Sequence, residues 1–414
     1  MINIKDKSKC CGCSACIQAC PKQCITMHSD DEGFAYPKVD KRQCVECGLC
    51  EKVCPIINQY DEQEPLESYA AKNANHDIRM SSSSGGIFTQ LAEKIIADGG
   101  VVFGARFDAD WQVVHDYTET IEGLVPFRGS KYLQSVIGDS YRQALNFLKS
   151  GRMVLFSGTS CQIAGLHHFL RRRYENLYTV DIICHGVPSP RVWCDYLSTV
   201  RPEGVEGGKN TVSSSLNAMP SIEGIAFRDK LNGWKKYGFV VRFSTDQREV
   251  ENSVSPSGKD LQSYCFYEPF PDNLFMKGFL ANLYLRPSCY VCPAKAGRSR
   301  ADITLGDFWG IESLHPQFDD DRGVSAVVIN TKQGYSLYHT IHIEQIAVAV
   351  DDIVRGNPSL LRSAAIPKQR HIFWKKYKTL GIDAIDYTLR RIHPPLLPRI
   401  KFNIKRILRF VLGM

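Results

Sequence analysis

The sequence predicts an α+β protein, in which a small cysteine-rich module precedes a larger α/β body. Three observations carry this reading. Ten of the sixteen cysteines fall within the first 54 residues. From Leu66 to about Val350, short β-branched runs alternate with amphipathic helical patterns. The 414 residues are 43% hydrophobic and 23% charged, a globular composition that excludes a disordered or collagen-like chain and can bury a core without disulfide staples. No apolar run approaches the roughly 18 residues of a membrane span. The stretch Met1 to Lys9 reaches the cysteines before an apolar segment forms, so a cytoplasmic chain without a signal peptide is expected. In a reducing compartment these cysteines read as metal ligands.

The first element is an internal repeat. Cys10, Cys13, Cys16, Cys20 and Pro21 recur 34 residues later as Cys44, Cys47, Cys50, Cys54 and Pro55. Each set reads C-x2-C-x2-C-x3-C-P, the bacterial two-cluster run in which the fourth cysteine of each set serves the other cluster. Cys10, Cys13, Cys16 and Cys54 are thus expected to hold one [4Fe-4S] cluster, and Cys44, Cys47, Cys50 and Cys20 a second. Gly12 and Gly48 relieve crowding between ligands, and each proline turns the chain away. Zinc would need two close pairs rather than two complete four-cysteine runs. Cys24 to Met27 and Phe34 to Pro37 read as short strands around a turn at Asp30 to Gly33. Cys11 and Cys24 read as small buried residues beside the clusters.

The expected boundaries are a ferredoxin-type module over 1–58, a polar linker over 59–67, two body regions over 68–150 and 151–350, and a helical basic tail over 351–414. Body strands are expected at 101–104, 154–156, 179–183, 303–305 and 326–329, with helices at 87–97, 141–148, 163–170 and 191–197. The Gly/Ser/Asn-rich stretch 203–217 reads as a surface insertion.

Three places in the body carry candidate chemistry. Ser81 to Gly86 precede a helix, where free N–H groups suit a phosphate, although serine there also serves as a simple N-cap. Ser157 to Gln162 run from a strand into a helix, placing Cys161 as an activated thiol, a ligand or a buried cap residue. Cys289 and Cys292 form a C-x2-C knuckle ahead of Asp302 to Gly310. With Cys161 and Cys184, which both follow strands, they would make a third site of four thiolates. Cys194 and Cys265 read as packing residues.

These body motifs resemble the family formed by the beta subunits of coenzyme F₄₂₀ hydrogenases and dehydrogenases. The resemblance lies in Ser83-Ser84-Gly85-Gly86, Gly129 to Ser135, Phe156 to Gln162, Cys184 to Pro190, Cys289 to Lys295 and Gly306 to Gly310. It implies an iron-sulfur flavoprotein oxidoreductase that passes electrons between [4Fe-4S] centres and a two-electron substrate through FAD. It also implies a third [4Fe-4S] cluster on Cys161, Cys184, Cys289 and Cys292, with Ser84, Gly85, Gly86, Lys131 and Thr159 near the flavin. Lys131 is the candidate for a positive charge at the flavin pyrimidine ring. His185 is the candidate donor to substrate or sulfur. The chain departs from the family at Ser160, where proline is usual, and at Ala294, where a bulkier residue is common. Both changes reshape a pocket without removing a ligand.

The formal charge is +7, but residues 366–414 hold twelve Lys and Arg against two Asp, leaving −3 on the remainder. Ile400, Ile404, Ile407, Leu408 and Val411 share one face of an expected basic helix, suited to docking on protein or lying on an anionic membrane. No nucleic-acid module is readable. The expected partners are a ferredoxin or another redox protein and a small two-electron substrate. A non-catalytic relay subunit and an accessory protein with structural clusters are the alternative readings.

Overall fold

The computed structural model describes residues 1–201, 221–244 and 265–392. The insertion expected over 203–217 and the basic helix carrying Ile400 to Val411 lie outside the described residues. No helix among the described residues is long and apolar enough to cross a membrane.

The head contains α1 (Ala15–Ala19), α2 (Leu49–Lys52) and an antiparallel hairpin of β1 (Ile25–Ser29) and β2 (Ala35–Val39). Asp30 closes the hairpin by accepting the N–H groups of Glu32 and Phe34. Gly12 and Gly48 both adopt left-handed φ, +71° and +70°, the conformation that costs glycine least. The segment expected as a linker has no helix or strand before β3 begins at Glu67, but is pinned to the body. Tyr60 stacks on His168 at 4.4 Å, Glu62 pairs with Arg298 at 2.7 Å, and the Gln63 N–H donates to the Ala296 carbonyl. It is a strap, because its polar side chains find partners along the body surface.

The body is built on one eight-stranded sheet. Its strands are β3 (Glu67–Asn73), β4 (Val101–Phe107), β5 (Val113–Thr118), β6 (Val154–Thr159), β7 (Leu177–Ile182), β11 (Ile303–Asp307), β12 (Ser325–Ile329) and β13 (Ile343–Ala347). Their order is β13-β3-β12-β11-β7-β6-β4-β5. Strands β4, β6, β7 and β11 run parallel, flanked by antiparallel neighbours. Alternation along β4 and β6 explains the layering: Val101, Phe103, Val154 and Phe156 face one core, Val102 and Leu155 the other. The second core is closed by α4 (Ile87–Ala97), which follows the short α3 (His76–Ser81), and the first by α5 (Ser140–Lys149) and α6 (Ser160–Leu170).

A second sheet, β8 (Ile222–Asp229), β9 (Gly238–Phe243) and β10 (Cys265–Pro269), is antiparallel and carries its own core. Trp193 on α7 (Pro190–Leu197) meets Phe227, Phe239 and Phe275 there, with ring centroids between 5.1 and 6.2 Å apart. Phe373 and Tyr377 from a C-terminal helix (Arg370–Leu380) complete it. Burying each such ring stabilises the fold by about 1.5–3 kcal/mol. Cys194 departs from its expected packing role: Val192, Trp193 and Tyr196 face inward and leave it exposed. Cys265 is half-buried on β10.

The head docks directly on the body. Gly165 of α6 lets Cys13 approach, since a Cβ at that position would lie 2.8 Å from the Cys13 Cβ. Arg142 donates to the Gln18 carbonyl at 2.9 Å, Gln134 to the Cys11 carbonyl at 2.7 Å, and Arg370 forms a fork with Glu32.

Candidate iron-sulfur and redox site

Three cysteine-lined cavities are the main chemical feature of the molecule. Cys10, Cys13, Cys16 and Cys54 surround one of about 350 Å³. Cys20, Cys44, Cys47 and Cys50 surround another of about 360 Å³. The pseudo-symmetric fold brings the fourth cysteine of each run across to the three of the other. Among the described residues no three His, Cys, Asp or Glu side chains converge tightly enough for a single metal ion; the thiols are spread around the cavities instead. Backbone N–H groups face these sulfurs, including Ile2 on Cys50 at 3.3 Å and Ile56 and Ile57 on Cys54. Such donors suit sulfur ligands that carry negative charge.

The third cavity, about 440 Å³, lies in the body and is lined by Cys161, Cys184, Cys289 and Cys292, together with Cys11 from the head. Cys161 stands in the first turn of α6, immediately after β6. Cys184 follows β7 by two residues, so both thiols gather at the carboxyl ends of parallel strands, where α/β sheets place ligands. The other two come from a 3-10 turn at Pro287–Val291. The Val187 N–H reaches the Cys289 sulfur at 3.4 Å, and Gly186 and Ala294 supply N–H groups to Cys184 and Cys292. Burial, reinforced by the neighbouring thiols and only partly offset by Lys295, pushes the Cys184 thiol up to about 12 and that of Cys292 to about 11, so a cationic metal core is what would draw them out as thiolates.

Cys11 is buried, and its thiol sits between those of Cys13 and Cys161. A row of sulfur therefore runs from the inner head cavity to the body cavity. Cys24 is also buried and approaches Cys20 at 3.5 Å beside the outer cavity.

The five residues expected near a flavin divide into two groups. The Ser84 hydroxyl donates to the Val324 carbonyl at 2.9 Å. Gly85 is pressed against the Ala71 carbonyl and Ser325, where no Cβ fits, and Gly86 caps α4. The glycines are accounted for by packing. Thr159, by contrast, lines the body cavity, where it caps α6 and touches the Cys161 sulfur at 3.3 Å. The Lys131 ammonium donates to the Arg128 and Gly129 carbonyls and faces the Phe107 ring, and desolvation lowers its pKa to about 7. His185 lines the same cavity as Thr159; its Nε2 lies 2.6 Å from the Asn282 side-chain oxygen, and burial lowers its pKa.

Sequence reasoning missed several buried polar residues around these groups. Lys230 donates to the Arg79, Ser84 and Arg322 carbonyls, clamping the loop before α4. Arg228 pairs with Asp307 at the end of β11 and lies over the Tyr237 and Trp309 rings, while its Nε and Nη2 are buried with no acceptor among the described residues. Lys295 donates to the carbonyls of Cys184 and Ser359. His115 anchors the turn that presents Cys161: its Nε2 reaches the Ser157 carbonyl at 2.8 Å and its Nδ1 the Ser135 hydroxyl at 2.7 Å. Gln162 donates to that hydroxyl and accepts from Thr159. Only His115 follows a readable pattern, as an inward position on a strand.

The fold and these cavities define an iron-sulfur redox protein with a ferredoxin-type head. A family model described as 4Fe-4S dicluster domain matches residues 9–56, and a model for the C terminus of the coenzyme F₄₂₀ hydrogenase/dehydrogenase beta subunit matches residues 151–354. The chain thus joins a ferredoxin-type 4Fe-4S domain at residues 9–56 to a region, residues 151–354, that matches the C-terminal part of this family of beta subunits. A ferredoxin of Mycolicibacterium smegmatis is 34% identical over 87 residues, covering 20% of this chain and 71% of the relative. The F subunit of the F(420)H(2) dehydrogenase of Methanosarcina mazei is 24% identical over 187 residues, 43% of this chain. The match spans about half, 52%, of that relative's length. Among solved structures, a chain of the F₄₂₀-reducing [NiFe] hydrogenase complex from Methanosarcina barkeri is similar at 16% identity and a TM-score of 0.45, covering 78% of this chain and 95% of that one.

Proposed function

We propose that this chain is an iron-sulfur flavoprotein oxidoreductase that moves electrons between an external one-electron donor or acceptor and an organic two-electron substrate. The observation that carries the proposal is the row of three cysteine-lined cavities, the outer head cavity with an exposed cysteine and the body cavity at the carboxyl edge of the parallel strands. In this reading the eight head cysteines hold two [4Fe-4S] clusters, and Cys161, Cys184, Cys289 and Cys292 hold a third. FAD, when bound, supplies the exchange between one- and two-electron transfer. Lys131, Thr159 and Arg228 are the residues proposed to hold it, Arg228 because buried N–H groups without an acceptor are expensive unless an anion meets them. In this reading His185, whose Nε2 hydrogen is taken by the Asn282 side-chain oxygen, offers Nδ1 beside Cys184 and donates from it only when the ring is protonated.

The names of the dehydrogenase and hydrogenase relatives make F₄₂₀ a candidate two-electron substrate and redox subunits of a larger complex candidate partners. A relay subunit without its own substrate is the second reading, favoured by the internal accounting for Gly85 and Gly86. Anaerobic purification decides between them. About twelve irons per chain, four for each cube, together with stoichiometric FAD support the first reading. Twelve irons without flavin support the relay, and about eight irons remove the body cluster.

A further inference from the structure

We infer that Arg286 is the shared counter-ion of the inner head cluster and the body cluster, a positioning residue that sets the reduction potential of both. The inference rests on the three-cluster reading and goes beyond it by assigning a role to a residue that is no ligand.

Arg286 is only 2% exposed, and a buried guanidinium normally requires a carboxylate. Here it forms no ion pair with a carboxylate among the described residues. Its Nε donates to the Cys10 carbonyl at 2.9 Å and its Nη1 to the Gln134 side-chain oxygen at 3.1 Å. Its Nη2 donates to the Ala35 carbonyl at 2.8 Å and lies 3.7 Å from the Cys10 sulfur. The rings of Phe34 and Tyr36 flank it at 5.5 and 4.6 Å. Every one of these partners is neutral unless Cys10 is a thiolate. The missing negative charge is therefore supplied by the sites on either side.

Both sites are within reach. Arg286 touches Cys10, the first thiol of the inner head cavity, and lines the body cavity with Cys11, Cys161 and Cys289. Gly12 makes the room, because a Cβ there would stand 2.8 Å from Nη1. Arg286 does not reach the outer cavity, whose wall holds the exposed Lys22 and the Met1 terminus but no buried guanidinium among the described residues. A positive charge between two anionic cubes favours the more negative, reduced form of each and raises both potentials.

The test is an anaerobic redox titration of the holoprotein, with mediators setting the potential and electron paramagnetic resonance reading each cluster. In Arg286→Gln, two of the three midpoint potentials are expected to fall. At fixed potential the reduced-to-oxidised ratio should drop about tenfold, equivalent to about 59 mV for one electron. The outer cluster should stay where it was, and Arg286→Lys should keep most of the wild-type values. Gln134→Glu retains the arginine but neutralises it with an adjacent carboxylate, and should lower the same two potentials. Wild-type iron content with all three potentials unmoved in Arg286→Gln overturns the inference, as does an equal fall in all three. If Arg286→Gln fails to load iron, Gln134→Glu decides, and unmoved potentials there overturn it. A wild-type chain with about eight irons overturns the three-cluster reading itself, and is recognisable before any variant is made.

Discussion

Acid should loosen the turn that presents Cys161, through one buried histidine. The Ser157 carbonyl can only accept, so His115 Nε2 carries the hydrogen and Nδ1 takes one from Ser135, whose oxygen also receives Gln162. Protonating Nδ1 would point a second hydrogen at Ser135 and strip that hydroxyl of its acceptor. Burial accordingly lowers His115 from 6.5 to about 4. Because the folded value is depressed, the opened state binds more protons between these limits. The stability is fully present above about pH 6.5 and is lost as pH falls toward about 4. Each pH unit is worth about 1.4 kcal/mol, so roughly 2 kcal/mol should disappear between about pH 6.5 and 5. Native-state hydrogen exchange of the β6 and α6 amides, corrected for intrinsic rates, reads this directly. His115→Gln, which cannot charge, should be flatter by that amount. An identical pH dependence in wild type and variant would refute the reasoning.

Three further outcomes follow from the geometry. Cys289→Ala should lose about four irons of twelve while the head signals persist; unchanged iron removes Cys289 from the ligand set. Gly165→Val should push Cys13 away from α6 and weaken head docking by about 1–3 kcal/mol, the range for overpacking, seen as easier proteolysis between the head and the strap. Lys230→Met should free the loop before α4. If FAD binds as proposed, flavin affinity should fall with little loss of iron, and unchanged affinity would confine Lys230 to a structural role.

The head was legible because a repeat of four cysteines and a proline can be read without any long-range information. The central strands were legible for a related reason: Val101 to Phe103 and Val154 to Phe156 are short apolar runs buried on both faces. The second sheet was not, since β8 reads Ile-Glu-Gly-Ile-Ala-Phe-Arg-Asp and its pairing with β9 shifts register twice, so no clean alternation survives. Strand β3 was also hidden, because Ala70 and Ala71 are small where the Gly85 loop presses on them. The residues that join head to body were beyond local reading for a simpler reason. Arg286 and Cys10 lie 276 positions apart, and Cys11 has no spacing signal beyond being next to a ligand.

The cysteine cavities differ in their distance from water. Cys47 is exposed and its neighbour Val45 is 57% exposed, whereas Cys13, Cys16 and Cys54 are buried and the body cavity lies behind them. In the proposed reading the outer site is both the doorway for a partner and the part least sheltered from air. A molecule built this way should age from the outside inward: brief oxygen exposure removes its contact with the external redox partner first, and leaves an intact interior cut off from electron exchange.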